Sequence, residues 1–130
     1  MDIEQHLSMW IKSSADNYKS MLNMFKAGEY MWSLFVGHLV LEKLLKAYYI
    51  KVIDNNVPYV HDLHKLAIRC GLELTESQKD SLRYITLFNI EARYEEYKGD
   101  FYKKCAREFA EKNINIIKEL RDWLMQKIEQ

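Results

Sequence analysis

The sequence predicts an all-α fold, an up-and-down bundle of four to five helices. Three observations carry this. Gly and Pro are scarce, four and one in 130 residues, about a third of their usual ~12% share, which disfavours a turn-rich all-β chain or a flexible multidomain one. Apolar residues recur at helical spacing almost from the first residue, and no segment shows the two-residue alternation of a half-buried strand. A chain of this length that is 48% hydrophobic and 13% aromatic can bury an ordinary core as one domain, residues 1–130, and is too apolar for intrinsic disorder.

In the first segment Ile3, Leu7, Trp10, Tyr18, Leu22 and Phe25 keep to one helical face, with Ser14 filling the gap, and Gly28 supplies a stop. Ser13 to Asp16 reads either as a kink or as a fresh N-terminus. The second segment, Glu29 to about Asp54, is the least charged. Its apolar residues, from Trp32 through Leu44 and Leu45 to Val52, cover more than one stripe. Such a helix is central in a bundle or lies at a subunit interface. Asp54 to Pro58 ends it. Asp62 or His61 can cap a short helix bearing Leu63, Leu66, Ala67 and Cys70, closed by Gly71. Thr75 with Gln78 three residues on has the form of a capping box and opens a fourth helix, whose buried face is Leu82, Ile85, Phe88 and Ala92. The apolar period fails from Tyr94 to Gly99. It resumes in a last helix from about Asp100, with Tyr102, Cys105, Phe109, Ile116, Leu120, Leu124 and Ile128 on one side.

Nineteen basic residues balance nineteen acidic ones, so there is no overall basic charge of the kind that marks many nucleic-acid binders. Two cysteines, Cys70 and Cys105, sit among apolar neighbours and read as buried thiols rather than a disulfide scaffold. The N-terminal residues lack a basic region followed by an apolar run, so no secretory signal is expected. The longest uncharged stretch, Tyr30 to Leu41, is 12 residues, against about 20 for a membrane span. The expected location is the cytoplasm, with no membrane partner.

Most chemical motifs are excluded by spacing. The four glycines are too far apart for a phosphate loop, and no Cys-x-x-Cys exists. His61 and His64 lack further ligands at compatible spacing, so no metal site and no cofactor are expected. What remains is a polar stripe on the most apolar helix. His38, Glu42 and Lys46 fall four residues apart and share one face, beside Gly37 and flanked by Lys43 and Lys51. It reads either as a solvated strip with a weak ion pair or as the polar wall of a cleft, with Gly37 admitting a helix or a ligand. A second cluster, Ile90 to Tyr97, sets Arg93 beside Tyr94 and Tyr97, a guanidinium fork with stacking surfaces. Arg93 could equally brace the loop through carbonyls or Glu42. Lys98, Lys103, Lys104 and Arg107 form a basic patch with the composition of an ordinary solvated face.

Three strings together, Gly37 to Ala47, Val57 to Leu63, and Ala92-Arg93-Tyr94, resemble the HEPN domain family (higher eukaryotes and prokaryotes nucleotide-binding), in its small stand-alone prokaryotic form. The shared pattern is a Glu-Lys-x-x-Lys-Ala centre on the second helix, a His-Asp-Leu opening the short third one, and an Ala-Arg-Tyr after the fourth. The resemblance spans about residues 15–125 and implies a helical bundle, commonly a homodimer, with a nucleotide- or RNA-binding cleft. Many members are paired with a minimal nucleotidyltransferase in a toxin–antitoxin arrangement. Ribonuclease members carry Arg followed four to six residues later by His. In this chain His6, His38, His61 and His64 all precede the first arginine, Arg69, so that motif is absent.

The expectation is therefore a non-catalytic HEPN protein that dimerises through helix faces and binds nucleotide or short RNA, with a nucleotidyltransferase as a protein partner. No catalytic residue is assigned. Lys43, Lys46 and Arg93 would contact phosphate, Tyr94 or Tyr97 would stack on a base, and Glu42 and His61 would orient the cleft. Together the cations make a local phosphate-sized site in a neutral chain. The alternatives are a ribonuclease toxin with a non-standard site, in which His38 or His61 approaches Arg93, and a purely structural dimerisation partner.

Overall fold

The computed structural model describes residues 1–130 as six helices with no strand: α1 (Ile3–Lys26), α2 (Tyr30–Val52), α3 (Leu63–Arg69), α4 (Glu76–Glu91), α5 (Glu95–Lys104) and α6 (Arg107–Glu129). No helix is long and apolar enough to cross a membrane. α1 opens on a capping box between Asp2 and Gln5 and runs unbroken through Ser13 to Asp16, so that stretch is neither kink nor new start. Ser14 is buried there and donates its hydroxyl to the Val40 carbonyl at 2.8 Å, which lets α1 lie close along α2.

Gly28 ends α1 at φ +80°, with Gly28 N–H bonded to Phe25 O and Glu29 N–H to Met24 O. Gly71 ends α3 in the same way at φ +73°, through Ile68 O and Ala67 O. Both use the left-handed conformation that only glycine adopts without strain, and both satisfy carbonyls the helix would otherwise leave open. The caps of α3 and α4 are Asp62 and Thr75, each accepting from the backbone N–H three residues on.

α2 is the axis of the bundle. Its apolar surplus is consumed inside the chain, because α1 and α6 pack along it while α3, α4 and α5 also reach it. Leu34, Val40, Leu41, Leu44 and Leu45 are at most 1% exposed, and burying each large side chain fully contributes roughly 1.5–3 kcal/mol. Gly37 is where the close approach occurs. A Cβ there would lie 2.5 Å from Ile117 Cδ1 and 3.1 Å from Met21 Sδ, so the glycine admits helices on two sides rather than a ligand.

The C-terminal third departs from the sequence expectation. Tyr94 to Gly99 is not a loop: Glu95 begins α5, which includes Gly99. One residue of α5, Phe101, is buried, and it stacks on Phe88 of α4 at 5.5 Å. A helix held by a single anchor shows no apolar period. It is stabilised instead by Glu95 and Glu96 in its first turn and Lys103 and Lys104 in its last, which complement the helix dipole. The long last helix is also broken. Cys105 (ψ +63°) and Ala106 (ψ +169°) leave helical geometry without glycine, proline or a capping side chain. α6 is closed by another helix: the Lys51 ammonium donates to the carbonyls of Lys127, Ile128 and Gln130.

Candidate functional site

The stripe on α2 is buried, not solvated. His38, Glu42 and Lys46 are 0%, 5% and 4% exposed. The segment between α2 and α3 folds back over them, and His61 fastens it twice. Its backbone carbonyl accepts from His38 Nε2 at 2.8 Å, and its Nδ1 lies 3.0 Å from Glu42 Oε1. The other Glu42 oxygen accepts from Lys46 Nζ at 3.0 Å. Lys46 then sits between two rings, 5.4 Å from the Trp10 centroid and 5.9 Å from that of Tyr59, so aromatic faces replace part of the hydration it has lost. Trp10 is itself fixed, donating Nε1–H to His6 Nε2 at 3.1 Å, while His6 Nδ1 bonds Asn55 Oδ1 and ties the same segment to α1.

The proton on His38 follows from these partners. The His61 carbonyl can only accept, so Nε2 carries the hydrogen. Burial holds the His38 pKa below the ordinary value, against the bond to His61 and the Glu42 charge, with the His61 and Arg93 charges lowering it further. The neutral ring leaves Nδ1 as a bare lone pair, buried without a hydrogen-bond partner and 3.8 Å from Glu42 Oε1. His61 differs. Its side chain is 45% exposed, and with Nδ1 turned to Glu42 its Nε2 has no protein partner.

Glu42, Lys46 and His61 are thus brought together. Lys43 is not. One residue beyond Glu42 it turns to α1, where Nζ donates to Ser13 Oγ at 2.7 Å and Asn17 Oδ1 at 2.6 Å, and burial lowers its pKa. Here its ammonium ties α2 to α1, just as that of Lys51 closes α6. Arg93, Tyr94 and Tyr97 form a separate exposed group at the α4–α5 junction. Arg93 Nε donates to Asn89 O at 3.0 Å, and the guanidinium lies 5.8 Å from the Tyr94 ring. The carbonyl brace is therefore present, without a bond to Glu42, and the remaining guanidinium N–H groups have no protein partner.

Two members of the network were not assigned to the site from sequence. Trp10 reads as a core residue of the first helix, and Tyr59, 90% exposed, carries no periodic signal. Its place two residues before His61 was the available clue: the rings meet edge to face at 5.2 Å.

The sequence profile of the HEPN domain family matches residues 7–128. No curated protein matches the chain in sequence. Among solved structures, TT1696 from Thermus thermophilus is similar, with a TM-score of 0.81 and 17% identity over 93% of this chain and 97% of that one. At that identity the likeness is one of fold. The profile match takes in both the α2 network and the Arg93 cluster, and the chain belongs to the HEPN domain family.

Proposed function

We propose that this protein is a non-catalytic HEPN protein that binds a nucleotide or a short RNA segment, acts as a homodimer, and works with a minimal nucleotidyltransferase in a toxin–antitoxin-like pair. The observation that carries the binding reading is Arg93: an exposed guanidinium 5.8 Å from the Tyr94 ring, with its Nε on the Asn89 carbonyl and without a carboxylate partner. It offers a planar fork for phosphate with an aromatic face for a base. Lys46 contributes through the field of the site and its hold on Glu42, since the rings and the carboxylate already enclose its ammonium. For the dimer, the apolar surface left open is not on α2 but along α4 and α5, where Leu87, Ile90, Tyr94 and Tyr97 are between 37% and 53% exposed.

Calorimetry with nucleoside mono-, di- and triphosphates and short single-stranded RNA tests the reading. Wild-type protein should release or absorb heat with one of them, and Arg93→Ala should weaken that binding at least tenfold while the helical signal stays intact. Silence with every nucleotide and RNA would sink it. Sedimentation at micromolar concentration tests the dimer, and a monomer at all concentrations refutes it.

One observation favours a second reading. His61 is oriented by Glu42 with its Nε2 free and accessible, the arrangement a general acid or base needs. His38, fully buried, cannot touch a substrate. The second reading is therefore a ribonuclease using His61 and Arg93. Expression in a bacterium should then arrest growth and degrade RNA, with His61→Ala and Arg93→Ala each relieving the arrest.

A further inference from the structure

A recess lies away from the Glu42–Lys46 network. It is a cleft of about 330 Å³ between α4 and α6, within the roughly 300–1,000 Å³ range of small-molecule sites. Tyr84, Ile85, Phe109 and Ile116 supply its apolar and aromatic lining. Towards the start of α4 it continues into a second hollow of about 210 Å³ that shares Ser81 and Ile116.

Asn113 is what distinguishes this cleft from a packing defect. It lies on the apolar stripe of α6 between Ala110 and Ile117 and is 2% exposed, a poor place for an amide in a helix interior. Its Nδ2 donates to the Phe109 carbonyl at 2.9 Å, which fixes the amide and leaves Oδ1 as a free acceptor. The one side-chain polar atom that is fully buried without a partner is His38 Nδ1, so Asn113 Oδ1 reaches open space, and the open space it borders is the cleft. A hydrogen-bond acceptor thus waits at the base of an apolar slot.

The rim sets the charge. Asp80 is partly neutralised by Arg83, whose Nη1 is 3.8 Å away. Lys112 has no carboxylate within ion-pair distance, and Lys104 stands over the Tyr84 and Phe109 rings at 5.5 and 5.3 Å. Among the groups that line the cleft itself, Lys112 is the charge without an ion-pair partner.

We propose that the α4–α6 cleft binds a small planar aromatic anion bearing a ring N–H, an indole carboxylate being the simplest such chemistry. The ring lies against Ile85 and Ile116, its N–H donates to Asn113 Oδ1, and its carboxylate faces Lys112. The proposal is independent of the Arg93 reading, because the two sites share no residue.

Titration of indole-3-acetate, indole and tryptamine, followed on the Ile85 and Ile116 methyl resonances, tests it. Indole-3-acetate should saturate at the lowest concentration and tryptamine at the highest. Asn113→Leu, which keeps the branched shape but removes the acceptor, should weaken indole-3-acetate roughly threefold to tenfold, the worth of one net hydrogen bond. Lys112→Ala should remove roughly twofold to fivefold, and only from the anion. Ser81→Trp, at the half-buried rim, fills the slot without touching Asn113 and should abolish the shifts, which keeps the test open if Asn113→Leu misfolds. The proposal is overturned if no probe gives saturable shifts, if tryptamine binds as tightly as indole-3-acetate, or if the shifts survive Ser81→Trp.

Discussion

Replacing Lys46 by Met is the sharpest probe of the α2 network, because it removes a charge while keeping most of the side-chain volume. The Lys46 and Glu42 side chains are 5% and 6% exposed, so the loss leaves a carboxylate in the interior with His61 as its remaining partner. Breaking a buried ion pair on one side typically costs about 3–5 kcal/mol. The surviving His61 bond puts Lys46→Met at the lower end, near 3 kcal/mol. For a domain of this size that lowers the melting temperature by roughly 10 °C. Glu42→Gln with Lys46→Met removes both charges and still lets Gln accept from His61 Nδ1, and the double variant should melt within about 1 kcal/mol of wild type. The coupling in a double-mutant cycle is then at least about 2 kcal/mol. Thermal unfolding followed by circular dichroism measures all four corners. Lys46→Met alone within about 1 kcal/mol of wild type, or a double variant as unstable as the sum of the singles, would refute the buried-pair reasoning. The cycle also governs how ligand binding is assayed: Lys46→Ala that loses nucleotide could simply be unfolded, whereas the double variant tests the charge in a folded protein.

Four further outcomes follow from the same geometry. His38 is held neutral below its ordinary pKa of 6.5, so below that pH the unfolded chain binds a proton that the folded one refuses, and stability falls as pH drops through that range. The slope approaches about 1.4 kcal/mol per pH unit, and denaturant unfolding of wild type against His38→Gln should show a smaller slope in the variant. Burial pushes the Cys70 and Cys105 thiols up to about 12, so both should resist a thiol reagent at neutral pH and react on unfolding; rapid native labelling contradicts the burial. Thr75→Ala removes the capping box of α4 and should cost about 1 kcal/mol in a chemical melt. Gly37→Val forces atoms against Ile117 Cδ1 and Met21 Sδ and should cost about 1–3 kcal/mol, part of which Ile117→Val restores; full stability of Gly37→Val would mean α6 does not approach α2 there.

The parts of the fold legible in the sequence are those with local chemical punctuation. Gly28 and Gly71 stop helices by their left-handed backbone, and Thr75 with Gln78 starts one; each signal is complete within a few residues. The break at Cys105 and Ala106 has no such signal. Phe101 stacks on Phe88 on one side of the break, and Ala110 and Ile114 are buried on the other. By pattern the start of α5 reads as a loop, because a helix with one buried residue has no face to repeat; the local signal available is its end charges, Glu95 and Glu96 against Lys103 and Lys104.

The candidate site divides along the same line. The alignment of His38, Glu42 and Lys46 follows from helical geometry alone. Whether that stripe faces water depends on Trp10, 36 positions before Lys46, and on a segment with no regular structure, and neither can be placed from spacing. Burial then changes the chemistry. An open Glu–Lys pair would be a weak surface contact; this one is enclosed by two rings and two histidines, and its ammonium is already committed. Arg93 stands apart from this network, exposed, with its Nε on the Asn89 carbonyl and no carboxylate partner. In the proposed reading, binding at Arg93 would need no rearrangement of the buried residues, and the ribonuclease alternative would rest on His61 together with Arg93, because no histidine follows an arginine in this chain.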